Sequence, residues 1–466
     1  MRAIRPVKSL SEVWCKAEGV RRSYPYSFSD QIVADIYGNA EQITKHVLSK
    51  KENKRCLFDQ RLDDLVTSKW FGYPLMLLLL VIVFWITIEG ANIPSSFLAT
   101  WLFAFQDQLT LWFQWIGAPA WVHGVLVLGV YRTLAWVVAV MLPPMAIFFP
   151  LFTLLEDSGY LPRIAFNLDH IFKKAKACGK QSLTMCMGFG CNAAGVTSCR
   201  IIDSPRERLI AILTNVFVPC NGRFPTLIAI TSVFIGYTIA AYSGLINALV
   251  ITLIIMLGIG VTLLVSWLLS MTILKGEPSS LVLELPSYRR PQIGAVIYRS
   301  IIERTIFVLR RAMIVAAPAG GVIWILGNIY IGDQSIITTV AHALNPLGHL
   351  IGLDGIILMA FILGLPANEI VLPILIMSYL STGSLQEYAG LEELRMVLVN
   401  NGWTWLTAIN VMLFSLLHWP CATTLLTIYK ESGSKKWVFL SFLIPTLVGL
   451  SVCFIFTQVV RLFGLV

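Results

Sequence analysis

Residues Ser182 to Cys199 are apolar enough to enter a bilayer, yet they sit between two basic segments, Arg163 to Lys180 and Arg200 to Arg208. Basic loops are held on the cytoplasmic side of a membrane. A stretch of about 17 residues whose ends face one side cannot cross twice, because a single crossing takes roughly 20. The expectation is a re-entrant hairpin dipping in from the cytoplasm. Gly188, Gly190 and Gly195 loosen its helix by about 1 kcal/mol each relative to Ala, and broken backbone at membrane depth is tolerated only beside protein or a water-filled cavity. Its side chains suit a borderline divalent metal better than magnesium or calcium: the thiols of Cys186, Cys191 and Cys199, the thioethers of Met185 and Met187, and the amide oxygen of Asn192. Close packing of small residues between membrane helices is the competing reading.

The rest of the chain reads as housing for that stretch. Of 466 residues, 56% are hydrophobic and 13% charged, against about 25% charged in soluble domains. This is the composition of a polytopic, all-α membrane protein. The net charge of +9 fits Lys and Arg held in cytoplasmic loops, not nucleic-acid binding. Nine cysteines with no CxxC pair and no signal peptide exclude a disulfide framework or zinc ribbon and predict reduced thiols. No GxxxxGK[ST] string occurs, so the chain has no nucleotide-binding P-loop.

In chain order, residues 1–70 form a cytoplasmic N-terminal region whose apolar rhythm, Phe28, Ile32, Ile36, Ile43 and Val47, predicts an amphipathic connector helix. Residues 71–155 hold the first spans. Tyr73 to Glu89 crosses, Asn92 to His123 with its four tryptophans is interfacial, and Val125 to Leu155 is a helix broken at Pro143, Pro144 and Pro150. Residues 156–274 hold the hairpin, an outward span from Leu209 to Phe234 carrying Pro219 and Cys220, and a return span to Leu274. Residues 275–311 are a basic cytoplasmic loop. Residues 312–466 repeat the plan: Met313 to Tyr330 crosses outward, Gly355 to Leu380 is broken between Gly364 and Pro373, Trp403 to Tyr429 carries Pro420 and Cys421, and Val438 to Val460 makes the last crossing. Because the loop with Glu387, Glu392 and Glu393 reads as external, the second broken stretch is re-entrant from outside.

Side by side, Gly190-Cys191-Asn192 answers to Pro366-Ala367-Asn368, and Val218-Pro219-Cys220 to Trp419-Pro420-Cys421. Two broken hairpins entering from opposite faces are the inverted-repeat plan of secondary transporters, with substrate near the midplane. Cys220 and Cys421 each follow a proline that frees a carbonyl inside an apolar span. Glu369 is a carboxylate at membrane depth, which costs a few kcal/mol and marks a functional site by default. Asn192 and Asn368 are carbonyl ligands or satisfy backbone at the breaks. Glu156, Asp157, Arg163 and Asp169 sit at the cytoplasmic mouth, either passing a cation or as solvated helix-end charges. His418 lies three residues before Cys421 and is a candidate ligand. Nothing resembles a hydrolytic triad.

Seven strings in order, Leu155 to Tyr160, Met187 to Asn192, Ile202 to Leu209, Pro219 to Arg223, Glu284 to Arg289, Pro366 to Ile370 and Pro420 to Thr424, resemble the membrane domain of the FeoB-type ferrous iron transporters. The resemblance implies two Gate repeats, related to nucleoside-recognition gates, that pass Fe(II) as substrate into the cytoplasm across a bacterial inner membrane, with the N-terminus cytoplasmic and no permanently bound cofactor. It assigns the gate cysteines to Cys191, Cys220 and Cys421 and the acidic gate residue to Glu369; the residues themselves add Asn192 and Asn368 to that set and Glu156, Asp157, Met187 and His418 at its entry or exit. It further implies a GTP-binding G domain, either supplied as a separate polypeptide or missing because this is a truncated core, with small Feo accessory proteins and a homo-oligomer as partners and no enzyme activity in this chain itself. Two departures stand out: the family's N-terminal G domain has no counterpart here, and Asn-Ala-Ala-Gly replaces the more usual Asn-Val-Pro-Ala, with Cys199 extra. Rival readings are a permease for another divalent metal or a nucleoside-like solute, and a receptor without transport.

Overall fold

The computed structural model is helical apart from one two-stranded ribbon, and it describes residues 16–17, 19, 28–47, 62–68, 70–235, 243–276, 292–385 and 391–464. The Glu284 to Arg289 string, Glu387 and most of the N-terminal region lie outside those residues. Helix α1 (Phe28–Val47) follows the apolar rhythm of the sequence, and Ile36, Ile43 and Val47 are exposed along it.

Helix α2 (Gly72–Trp115) runs for 44 residues, about 66 Å at 1.5 Å per residue, so the expected separate interfacial helix over Asn92 to His123 does not form. Three of its tryptophans, Trp101, Trp112 and Trp115, continue α2 itself. The reason is tertiary: the second half of α2 lies along α3 (Ala120–Asp157), where Tyr131 donates to the Leu102 carbonyl at 2.9 Å and His123 meets Thr110 at 3.1 Å. Helix α3 also corrects an expectation. It passes through Pro143, Pro144 and Pro150 without breaking, since packing against neighbouring helices sustains a membrane helix where a proline removes its bond. The departure from α geometry comes earlier, in a π segment at Gly124–Tyr131.

Helix α4 (Tyr160–Lys174) is latched to the short segment before α2. Arg163, 1% exposed, donates to Asp63 at 2.8 Å and to the Gly159 carbonyl at 2.6 Å, while Asn167 donates to the Val66 carbonyl at 2.7 Å. Arg163 is therefore a buried structural cation and not a charge at the mouth. The Ser182 to Cys199 stretch becomes α5 (Lys180–Gly190) and α6 (Asn192–Ser198), broken at Cys191. The expected single span from Leu209 to Phe234 is instead α7 (Pro205–Thr214) and α8 (Phe224–Phe234), parted by the non-helical residues around Pro219 and Cys220. Helix α9 (Ser243–Met271) closes the first half.

The second half opens with α10 (Ile293–Asn328), so the latter part of the expected loop 275–311 is helix. Its Arg299, Glu303 and Arg304 ride on a helix whose Val296, Ser300 and Thr305 are buried, with Ser300 donating to Thr153 of α3 at 3.0 Å. A short ribbon, β1 (Tyr330–Ile331) and β2 (Gln334–Ser335), leads into α11 (Ile336–Leu350) and α12 (Gly355–Leu363), which bend by 112° at their junction. Next come α13 (Val371–Leu380), α14 (Leu391–Asn400), α15 (Trp405–Leu417), α16 (Ala422–Ser432) and α17 (Lys435–Leu462).

Among the described residues six helical stretches are long and apolar enough to cross a bilayer, or seven if the bent pair is one span. The α15 and α16 stretch is 72% buried in its apolar window, against 18% for α2 and 22% for α17, which puts Pro420 and Cys421 at the centre of the bundle. From the π segment to the first break the halves run through one order of helices, with the ribbon and, further on, α14 added in the second half. The π segment of α10, Ser300–Ile306, stands 176 positions after that of α3, and α11 stands 176 positions after α4. Even a single bond repeats at that spacing: Gly179 donates to Asp169 at 3.0 Å, and Gly355 to Asn345 at 2.8 Å. Asp169, expected at the mouth, thus holds the start of α5.

Candidate metal path

Both breaks adopt the same backbone. Cys191 has φ −156° and ψ 126°, and Ala367 has φ −153° and ψ 120°. The reversal to extended backbone strips helix bonds on either side, and in each half the residue that resumes the helix is an asparagine. The Oδ1 atoms of Asn192 and Asn368 are buried and without a hydrogen-bond partner. Leaving a buried acceptor unmade costs about 1–3 kcal/mol. The two atoms occupy matching positions in the two halves.

Each break is tied to a Pro-Cys break. The Asn221 amide donates to the Gly190 carbonyl at 3.4 Å, and the Ala422 amide to the Leu365 carbonyl at 2.8 Å. These bonds bring Cys220 beside the first break and Cys421 beside the second. The two halves also approach each other here, because Glu369 of the second half lies against Gly222, two residues after Cys220 of the first. Glu369 is 6% exposed, its carboxylate rests against Gly222, and its carbonyl accepts from Trp136 at 3.1 Å. A Cβ on Gly222 would strike that carboxylate, so the glycine in the Pro-Cys-Asn-Gly-Arg string makes room for an acid from the other half. Cys421 is further held by Thr424 at 3.3 Å.

Two cavities approach this point. One of about 490 Å³ reaches Asn221 and Phe189 past Glu89, Asn92 and Asn247. The other, about 260 Å³, reaches Ala193, Ala194 and Thr423 past Met187, Arg304 and Arg311. Asn221 adjoins Cys220 and Ala193 adjoins Asn192, so each cavity ends one residue from a candidate group of the first half. Among the described residues, no three His, Cys, Asp or Glu side chains are arranged to hold a metal ion. The groups are not a preformed cage among the described residues.

Other sequence candidates separate from this cluster. Met187 lines the smaller cavity and its sulfur lies 3.8 Å from Arg304. Glu156 pairs with Arg304 at 3.0 Å, and Asp157 is exposed at the end of α3. Cys199 is buried in a separate apolar cluster with Cys178, Val196 and Ile202, and Met185 is in the main core. His418 is 1% exposed among Phe361, Phe414 and Trp419; its Nδ1 is shared between the Phe414 and Ser415 carbonyls, leaving Nε2 without a partner. The glycines have a packing reason: a Cβ at Gly188 or Gly195 would strike the Asn215 amide, and one at Gly190 the Phe149 ring. Asn215 donates to the Asn192 carbonyl at 3.1 Å.

Sequence reasoning passed over two residues. One is Asn215. The other is Arg223, 1% exposed, whose guanidinium donates to the carbonyls of Val216, Leu416, His418 and Trp419 at 2.7–3.2 Å. A charged residue in the turn after a Pro-Cys break was the available signal for it.

The chain matches the family model described as "Nucleoside recognition" (Gate) twice, over residues 138–234 and 309–435, and the model described as "Ferrous iron transport protein B C terminus" over residues 251–302. It is 29% identical over 440 residues to the Fe(2+) transporter FeoB of Staphylococcus aureus, covering 91% of this chain and 62% of that protein. It is also 29% identical over 422 residues to the Fe(2+) transporter FeoB of Methanocaldococcus jannaschii, covering 88% of this chain and 60% of that protein. A fusion of Fe(2+) transport protein A with the Fe(2+) transporter FeoB in Porphyromonas gingivalis is 25% identical over 514 residues, covering 99% and 57%. The chain therefore spans about three fifths of the length of the curated relatives it matches. No solved structure matches. With its long apolar helices and two Gate segments flanking the C-terminal one, the chain belongs to the FeoB family and carries its multi-pass membrane portion.

Proposed function

We propose that this chain carries ferrous iron across the bacterial inner membrane, along a route through Cys191, Asn192, Cys220, Asn368, Glu369 and Cys421. The observation that carries the reading is the pair of matching breaks, each with a buried asparagine oxygen lacking a partner and each bonded to a Pro-Cys turn. Thiolate sulfur and amide oxygen together favour a borderline divalent ion over magnesium or calcium. Conduction also demands release, which a dispersed row of donors serves better than a closed cage. The two Gate segments act as inverted repeats about this point, with the N-terminus and the Arg304 cavity cytoplasmic. A G domain supplied separately controls passage, and the small Feo proteins and further copies of the chain are its partners; the fused relative in Porphyromonas gingivalis supports the first of these.

Uptake of Fe(II) into liposomes holding the purified chain with its G-domain partner tests the reading. Cys220→Ser with Cys421→Ser should lower uptake at least tenfold, about 1.4 kcal/mol, at unchanged folding. Unchanged uptake would remove the thiols from the route. A rise in melting temperature with uridine but not with Fe(II) would replace the metal by an organic solute.

A further inference from the structure

A cation route through the Pro-Cys turns passes beside a cation that is already there. Arg223 follows Cys220 by three positions, closes that turn through its amide bond to the Cys220 carbonyl at 2.9 Å, and is buried at 1% exposure. Its guanidinium reaches across to the other half and takes the carbonyls of Leu416, His418 and Trp419, the ones left open just before Pro420 and Cys421. Every hydrogen bond it makes goes to a neutral carbonyl, and its Nε has no partner. Burying a cation without a bonded carboxylate is expensive, and satisfying carbonyls alone does not need a charge, since an amide donor would serve. The guanidinium thus lies between the turn that carries Cys220 and the carbonyls two and three residues before Cys421, which sets a positive charge close to both Pro-Cys turns.

We propose that Arg223 is a specificity-determining residue of the route, a resident positive charge that keeps a divalent cation loosely held at Cys220 and Cys421 so that it can leave. This rests on the thiol route proposed above. A thiol gives up its proton as it takes a divalent ion, and an ion that displaces a single proton leaves the site one charge more positive, so a like charge held nearby weakens its binding through Coulomb repulsion that low dielectric leaves unscreened. A route needs sites weak enough to leave, and Arg223 supplies the weakening without itself ever titrating.

Cadmium serves as the probe, because its thiolate complexes have a charge-transfer absorption in the ultraviolet that is read as a difference spectrum. In the purified full chain, Arg223→Gln, which keeps amide donors for the carbonyls but removes the charge, should tighten cadmium binding at least tenfold while slowing metal uptake into liposomes. Arg223→Lys keeps the charge and should bind cadmium within about threefold of the parent. A purely structural role predicts the opposite sign, weaker binding in both variants, and that result overturns the proposal, as does an unchanged affinity in Arg223→Gln. A parent chain with no cadmium absorbance, or absorbance that survives Cys220→Ser with Cys421→Ser, instead sinks the thiol route itself. Should Arg223→Gln not fold, Arg223→Lys binding cadmium tenfold more tightly or more weakly than the parent counts against the proposal, and binding within threefold supports it.

Discussion

The break at Cys191 and the break at Ala367 share dihedral angles to within a few degrees, yet they are packed in opposite ways. In the first, an amide fills the slot: Asn215 lies against Gly188 and Gly195 and donates to the Asn192 carbonyl. In the second, a methyl fills it. Gly364, the counterpart of Gly188, packs against Val371, the counterpart of Gly195. The chemistry differs in the same way, because Cys191 stands opposite Ala367 while Ala193 stands opposite Glu369. One half brings sulfur to the break and the other a carboxylate. The lesson is that backbone geometry is the shared part of the repeat, and each half is free to dress it differently, with sulfur in one and a carboxylate in the other.

The largest effect should come from forcing one packing mode on the other half. Gly195→Val puts a Val371-like side chain where the Asn215 amide sits, and overpacking of this kind costs about 1–3 kcal/mol. Thermal unfolding of the purified chain should show that loss, and Asn215→Ala in the same chain should return part of it. No recovery in the double variant would mean the two slots are not equivalent. Next, Glu369→Gln removes the hard donor while keeping its shape. Fe(II) uptake should fall by about tenfold, near 1.4 kcal/mol, and calcium should compete less than in the parent; uptake at the parental rate would make the carboxylate structural.

Asn192→Ala and Asn368→Ala test whether the shared part acts alike in both halves. Each deletes a buried acceptor that has no partner, so neither should lower the melting point by more than about 1 kcal/mol equivalent, while each should slow uptake by a similar few-fold. A deficit in only one of them would break the comparison at the asparagines. The smallest effect belongs to the cross-half ion pair outside the route. Arg200 donates to both oxygens of Glu431 at 2.8 and 2.7 Å, with the arginine 68% exposed. Solvent screens it, so Arg200→Ala should cost less than about 1 kcal/mol in unfolding measurements and leave uptake unchanged.

Much of this site could be read in the chain because it violates membrane-helix habits locally. Cys191-Asn192, Asn368-Glu369 and the two Pro-Cys pairs are polar or helix-breaking residues inside apolar runs, and one window of sequence suffices to notice them. What escaped acts over distance. Arg223 reaches carbonyls 193 to 196 positions away and Asn215 a carbonyl 23 positions away, and nothing in their own neighbourhoods says where those carbonyls will be. The same blindness works in reverse for the prolines of α3 and the tryptophans of α2, where local rules call for a break or an interfacial turn and neighbouring helices hold a continuous helix instead. Charge misled as well: Arg163 and Arg304 read as solvated loop cations, but one is buried on Asp63 and the other rides α10 against Glu156.

Whether the two halves deliver sulfur and oxygen to one divalent ion is read by X-ray absorption at the iron edge of the chain loaded with Fe(II) without oxygen. The expected shell contains sulfur near roughly 2.3 Å and oxygen near roughly 2.1 Å, as for thiolate and carboxylate or amide ligands, with the sulfur gone in Cys220→Ser with Cys421→Ser. A shell of oxygen and nitrogen alone in the parent chain, unchanged by those substitutions, would contradict that shared delivery.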